Sequence, residues 1–451
     1  MESAADPHSL LTVSSTRPRL TIQPQAVSVA LVAITAYLGY VLFYRHYVDP
    51  HVFPPVRSDG LGYYTYLPAY LIENDPTFHR FVAEHLHGLP ALGNLRLDPS
   101  TGNYLDQYPI GEAIMLLPFF LVGHAAAILT GRHADGFSGL EQAVVGLGGV
   151  TYMVLGLLVL SLSLRRYFSP WVTALTLLTM VFGTNLFHYG TADSMTSHAF
   201  SFCLVAILIE LTHRWYARPS AGMSLALGLV TAMIVMVRQV NVEYLLLIPL
   251  FAVASPRAIA ERLSFWRENL SGIVIVVTTF LVGLVPQLWA WHLATGHWIT
   301  YSYQYHFNFF SPEILATLFS FFPHGAYPWS PALLLATAGF IPLWRQARPL
   351  FLPVVVISCL VLYTIASWQF WFYGGGYGHR GFVDLYPLLA FALASLYSVL
   401  SSLWSRTLVG GLALTACILV TVQMLHWWKM LILFEGAPFQ YYVAILTRPL
   451  W

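Results

Sequence analysis

The chain has 451 residues, 57% of them hydrophobic and only 9% charged, with a net charge of +1 and a mean hydropathy of +0.65. This composition excludes a soluble globular domain and a disordered chain, and reads as an all-α polytopic membrane protein. The near-zero net charge argues against nucleic acid as a partner, and Cys203, Cys359 and Cys417 lie in apolar runs, so neither a disulfide framework nor a thiolate metal site follows from them.

Residues 1–25 are polar, with Pro7, Pro18 and Pro24, and are expected to be a disordered cytoplasmic tail. The apolar run from Ala26 to Tyr44 is too long for a signal-peptide core and reads as an uncleaved first span. Further spans are predicted near 140–164, 170–188, 196–213, 221–239, 242–255, 272–294, 329–344, 350–367, 382–401 and 407–427. That makes about eleven transmembrane helices in one domain over 26–428. Residues 46–139 form a large first extracytoplasmic loop with juxtamembrane helices, and 429–451 an outer C-terminal segment. The basic clusters Arg17/Arg19, Arg165/Arg166, Arg214/Arg218, Arg257/Arg262/Arg267, Arg345/Arg348 and Arg406 all fall on one side if the N-terminus is cytoplasmic. Pro109 to Thr130 is long enough to cross, but a crossing there would invert every later loop. It is therefore predicted to be a broken helix at the outer interface that enters without crossing.

With that parity the polar chemistry gathers on the external face. Arg57 to Pro68 places Asp59 where the chain leaves the membrane, beside Gly60, Gly62, Tyr63 and Tyr64. Such a stretch reads as an interfacial loop with turn glycines, or as a catalytic carboxylate at the water–membrane boundary. Asp106, before Tyr108-Pro109, is a second acid of the same loop, suited to orient a group or bind a metal. Asp193 and His198 stand five apart at the head of a span, a poor metal spacing, so Asp193 reads equally as a helix N-terminal acid. Arg238, followed by Glu243 with no room for a solvated loop, is expected in a buried ion pair or an anion site. Tyr373 to Phe382 is glycine-rich and ends at Arg380. It reads as an anion loop or as an interfacial hairpin with Arg380 paired to Asp384 or to water. The aromatic run over 297–328 reads as a membrane-interface belt, with His324 a candidate site element. His79, His85 and His87 with Glu84 offer metal-ligand atoms, and equally the polar face of a juxtamembrane helix.

A membrane helix bundle, an acid in the first outer loop, a second acid before a Tyr-Pro turn and later external arginines together resemble the glycosyltransferase C superfamily. The resemblance is to the branch related to protein O-mannosyltransferases and lipid A aminoarabinose transferases, and runs from about 26 to 400. It implies that Asp59 is the catalytic residue, that Arg380 and Arg238 bind the donor phosphate, and that a non-crossing helix follows the Tyr108-Pro109 turn. The family's basic position before the turn is Gln107 here, and the acidic doublet of many members is Asp59-Gly60. The activity expected is transfer of a sugar from a polyprenyl-phosphate donor to a glycan, lipid or protein acceptor. It would act on the outer face of a bacterial inner membrane. Tyr63, Tyr64, Asp106, Tyr108, Asp193, His198 and His324 would support it, with a divalent metal on Asp59, Asp106 and Asp193. A transporter or flippase of a lipid-linked or anionic substrate shares the arginines but needs polar groups at the midplane of broken spans.

Overall fold

Within a bilayer each backbone polar group must find its partner in its own segment, so apolar runs of spanning length fold as helices. The computed structural model describes residues 23–49, 53–433 and 437–449 and is a helical bundle with one two-stranded hairpin. Residues 1–22 of the expected tail, with Arg17 and Arg19, lie outside the described residues.

Helix α1 (Pro24–Leu42) opens with proline in its first turn, where the missing N–H has no helical acceptor, and continues through Phe43–Tyr47. The outer segment then contributes α2 (Ser58–Leu71), α3 (His79–Glu84), strands β1 (Leu95–Leu97) and β2 (Tyr104–Asp106), and α4 (Gly111–Leu129). The bundle proper follows with α5 (Gly139–Leu164), α6 (Pro170–Phe182), α7 (Ser197–Ala217) and α8 (Ala221–Val237). A short helical return, Gln239–Leu250, leads to α9 (Pro256–Glu268) and α10 (Leu270–Thr295). Helices α11 (Ala332–Ala338), α12 (Phe340–Gln346), α13 (Arg348–Ser367), α14 (Tyr386–Ser398), α15 (Leu403–Trp428) and α16 (Phe439–Leu446) complete it.

Seven of the described helices are long and apolar enough to cross a membrane unaided, so length and composition alone do not reach the expected eleven. Helix α4 is among the seven. Its partners nevertheless confine it to one half of α5. A Cβ on Gly123 would lie 3.3 Å from Glu141 Cα, one on Gly148 would meet Leu116, and Tyr152 donates to the Met115 carbonyl at 3.0 Å. The two helices therefore run antiparallel, and α4 begins halfway along α5. The second half of α5 packs instead on α7, with Gly156 against Phe202 and Ser163 donating to Glu210 at 2.8 Å. The helix expected to be broken is continuous from Gly111 to Leu129, with Pro118 inside it.

Close glycine contacts also fix the direction of neighbours. Gly149 meets Ser194 and Gly156 meets Cys203, so α5 and α7 run parallel and α6 returns between them. Gly272 meets Ser224 and Gly283 meets Ala232, so α8 and α10 run parallel. Between the end of α8 and the start of α10 the chain returns through Gln239–Leu250 and α9. At the end where α5 and α7 finish, Arg166 and Arg214 both reach Glu210, at 2.5 and 2.6 Å, and Arg262 stacks 3.5 Å over the Tyr216 ring. Three of the basic clusters, through Arg166, Arg214 and Arg262, thus lie at the end of α7 away from Asp59.

Candidate active site

The start of α2 is built to hold one carboxylate. Arg57 donates to Tyr44 Oη at 2.8 Å, to the Pro54 carbonyl at 2.9 Å and to the Ala192 carbonyl at 3.1 Å, and is ion-paired with Asp193. His188 lies 3.0 Å from the other Asp193 oxygen, and Trp428 Nε1 donates to His188 Nδ1 at 2.9 Å. Arg57 is therefore pinned from three elements. Next to it Ser58 adopts φ 49°, a left-handed value that costs a non-glycine residue about 1–2 kcal/mol. The glycines that follow are helical, not turn residues. A Cβ on Gly60 would lie 2.7 Å from the Met195 carbonyl oxygen, and one on Gly62 2.4 Å from the Tyr108 ring. They let α2 press its first turn onto the bundle.

Asp59 is thereby presented to Arg380, whose Nη1 lies 2.6 Å from Asp59 Oδ2. The Asp59 and Arg380 side chains keep 23% and 18% exposure, so the pair is accessible to a ligand. Burial works to raise the Asp59 carboxyl, but the Arg380 charge and hydrogen bonds from Tyr108 and Arg380 hold it below the ordinary carboxylate value. It is therefore ionised at neutral pH. Arg380 also donates from Nη2 to the Tyr373 carbonyl at 2.7 Å.

A second ion pair lies beneath the first. Arg238 Nη1 donates to Asp384 Oδ2 at 2.6 Å, and Asn241 donates to the same oxygen at 2.9 Å. His198 Nδ1 lies 3.0 Å from Asp384 Oδ1. Tyr373 spreads its ring 5.5 Å from the Arg238 guanidinium. Asp384 therefore pairs with Arg238, not with Arg380 four residues before it. Glu243, the neighbour that prompted the ion-pair reading, instead accepts from Thr364.

One cavity of about 690 Å³ joins these groups. Asp59, Tyr63, Tyr108, His198, Arg238 and Arg380 all line it. Among its described lining residues Asp59 is the one carboxylate. Tyr63 and Tyr108 pack with ring centroids 4.4 Å apart, and Tyr63 donates to Ser197 at 3.1 Å. The far wall is aromatic. Tyr303, Tyr305 and Phe307 gather around Trp368 at 5.8, 6.3 and 4.7 Å between ring centroids. The run expected to be an interface belt is, over these residues, the wall of the site. Sequence reasoning also missed Trp368 and Phe370, since nothing in the local pattern ties residue 307 to residue 368.

Several other expected site residues sit elsewhere. Tyr64 donates to the Gly136 carbonyl at 2.6 Å and packs on Phe120 and Phe137. Asp106 is buried under the turn, accepting from the Tyr108 N–H at 2.8 Å, and burial pushes its carboxyl well up. Asp193 acts on α2 through Arg57. His324 lies outside the cavity, with Nδ1 2.9 Å from the Gly376 carbonyl and its ring 4.0 Å from Trp329; burial lowers its pKa to about 4. The glycine-rich loop is mainly a packing device. Gly378, at φ 58°, brings the Tyr377 carbonyl to Asn185 Nδ2 at 3.2 Å and Tyr189 Oη at 3.0 Å. Only Tyr373, Gly374 and Arg380 of that loop reach the cavity. Asp59, Asp106 and Asp193 have separate partners and do not converge as metal ligands. Among the described residues, the one trio of close His, Cys, Asp or Glu side chains is Glu73, Glu84 and His85.

No family model and no curated protein matches the chain. Among solved structures it is similar to ArnT from Cupriavidus metallidurans in the apo state, at 16% identity and TM-score 0.48, over 89% of this chain and 65% of that one. It is also similar to the Archaeoglobus fulgidus oligosaccharyltransferase in the apo form, at 13% identity and TM-score 0.46, over 92% of this chain and 57% of that one. The chain thus spans a little under two thirds of the first and somewhat over half of the second. It is an integral membrane protein with an all-α polytopic fold.

Proposed function

We propose that this protein transfers a sugar from a polyprenyl-phosphate-linked donor to an acceptor hydroxyl at the extracytoplasmic face of the membrane. The observation that carries the reading is the pairing of one ionised carboxylate, Asp59, with one arginine, Arg380, on the surface of an aromatic-walled cavity. A phosphate leaving group needs cations more than a general acid. Arg380 supplies a planar guanidinium whose Nη1 faces Asp59 and whose Nη2 donates to the Tyr373 carbonyl, with the side chain 18% exposed. Asp59 takes the proton from the acceptor oxygen as that oxygen bonds to the anomeric carbon. The bond from that carbon to the phosphate oxygen breaks, and the electron pair leaves with the carrier phosphate toward Arg380 and Arg238. With a single carboxylate on the cavity surface, one displacement with inversion is the matching stereochemistry. The dispersed donor set of Asp59, Asp106 and Asp193 does not fit a shared metal, and no step is routed through one.

The charges also set an order of events. Each cavity cation already has a carboxylate, so a phosphate must displace one. Asp384 is held by Arg238, Asn241 and His198. Asp59 is held mainly by Arg380 and Tyr108. The phosphate therefore competes with Asp59 for Arg380, and its arrival releases a more basic carboxylate next to the donor. The test is release of free polyprenyl phosphate from a polyprenyl-phosphate sugar by the purified protein with a mixed acceptor extract. Turnover that requires Asp59 supports the reading. Movement of intact donor across a vesicle membrane with no bond cleavage would replace it with a transporter.

A further inference from the structure

The outer segment holds a second cluster that the transfer reaction does not use. Glu73 follows α2, and Glu84 ends α3 with His85 just beyond it. One ligand atom from each lies within 4.8 Å of the others. Glu73 is only 5% exposed. Neither of its oxygens receives a hydrogen bond of good geometry among the described residues, although His85 Nε2 stands 2.6 Å from Oε1. That imidazole, charged only when protonated, is the one side-chain partner of Glu73 among the described residues, and a buried carboxylate so sparsely met is costly unless a cation joins it. Arg80 does not serve: its guanidinium lies 3.6 Å from the exposed Glu84 and donates to the Glu73 backbone carbonyl at 3.0 Å. Of the histidines singled out in this stretch, His79 packs tilted against Tyr104 with ring centroids 5.1 Å apart and is not part of the group.

We infer that Glu73, Glu84 and His85 bind a divalent transition ion of the zinc type, which ties the C-terminal end of α2 to α3. Two carboxylates and one imidazole are a zinc-like donor set, and the exposed side of Glu84 leaves the fourth position to water. The ion would neutralise the buried Glu73 and brace, from its far end, the helix that carries Asp59. Its role is structural, and it stands whether or not the proposed transfer reaction is correct.

The test uses the full chain in detergent, with zinc chloride alone as the probe. Metal content after dialysis and the melting temperature with and without zinc are measured for wild type, Glu73→Gln, Glu84→Gln, His85→Gln and Asp59→Asn. Wild type and Asp59→Asn should retain equimolar zinc and melt higher with it, since a ligand bound only to the folded state stabilises it. Glu73→Gln and His85→Gln should lose the ion and the shift. Glu84→Gln alters an exposed side chain, so it keeps the experiment readable if the buried variants fold poorly. It should bind more weakly. Zinc unbound by wild type, unaffected by these three substitutions, or lost on Asp59→Asn instead would overturn the inference.

Discussion

Arg238, at the cavity wall, and Asp384 behind it meet at 2.6 Å, 146 positions apart in sequence. Their side chains are 9% and 1% exposed, and His198 and Asn241 complete the carboxylate's shell. Removing one partner from such a pair leaves the other charged and buried, at about 3–5 kcal/mol. Asp384→Asn should therefore lower the melting temperature sharply. The double variant with Arg238→Met should recover part of the loss, because the cost of an orphaned charge disappears. Additive losses in that cycle would mean that the two residues do not act as a pair.

Asp59→Asn separates two roles. Loss of the base should reduce transfer by roughly 10²–10⁴-fold. The same change removes the carboxylate that competes with phosphate for Arg380, so donor affinity should be retained or increased. Weaker donor binding in this variant would contradict the competition.

Arg380 should show the opposite split. Arg380→Lys keeps a charge but cannot offer the planar two-point contact, and Arg380→Ala offers neither. Donor affinity and turnover should fall in the order Arg, Lys, Ala. If Arg380→Ala binds donor normally, Arg380 serves only to hold Asp59.

The pH dependence follows from the depressed Asp59 pKa. A carboxyl whose folded pKa lies below its unfolded value stabilises the fold at pH above the unfolded value, about 3.9. That contribution is lost as pH falls through the folded value. In the free enzyme the acid limb of kcat/KM should lie below the ordinary carboxylate range. In Arg380→Ala burial acts on Asp59 without the counter-charge, so the limb should move to higher pH. An unmoved limb would assign it to another group.

The orientation is tested by labelling. Single cysteines at positions 135 and 193 should react with an impermeant reagent added from outside, and one at 166 should not. Labelling at 166 would place the cavity on the cytoplasmic side.

Much of this site could be read from the residues, for a definite reason. Asp59, Tyr63, Tyr108, Arg238 and Arg380 are polar or amphipathic groups at the ends of apolar runs, and a membrane makes such positions conspicuous. A helix over the Pro109–Thr130 run was legible from its length and apolarity, and it forms as Gly111–Leu129. Partners were not. Arg380 lies four residues from Asp384, so a local reading pairs them, yet the 3-10 turn Arg380–Leu385 sends Asp384 inward to Arg238. The glycines of α2 look like turn formers because a single sequence does not show the Met195 and Tyr108 atoms that press on them. The aromatic run was ambiguous for the same reason: an interface belt and a cavity wall have one composition and differ only in what Trp368 does.

The Asp59–Arg380 pair has a consequence for how the protein comes into being. During synthesis the base is delivered near the beginning of the chain and its counter-cation near the end. Until the stretch after α13 is inserted, the base waits without the arginine that holds it ionised. Arg238 likewise waits for Asp384 from that same late stretch. Both ion pairs close together, when one 3-10 turn docks onto a nearly finished bundle. A nascent or truncated chain ending before Tyr373 therefore carries Asp59, Tyr63, Tyr108 and Arg238 but neither Arg380 nor Asp384.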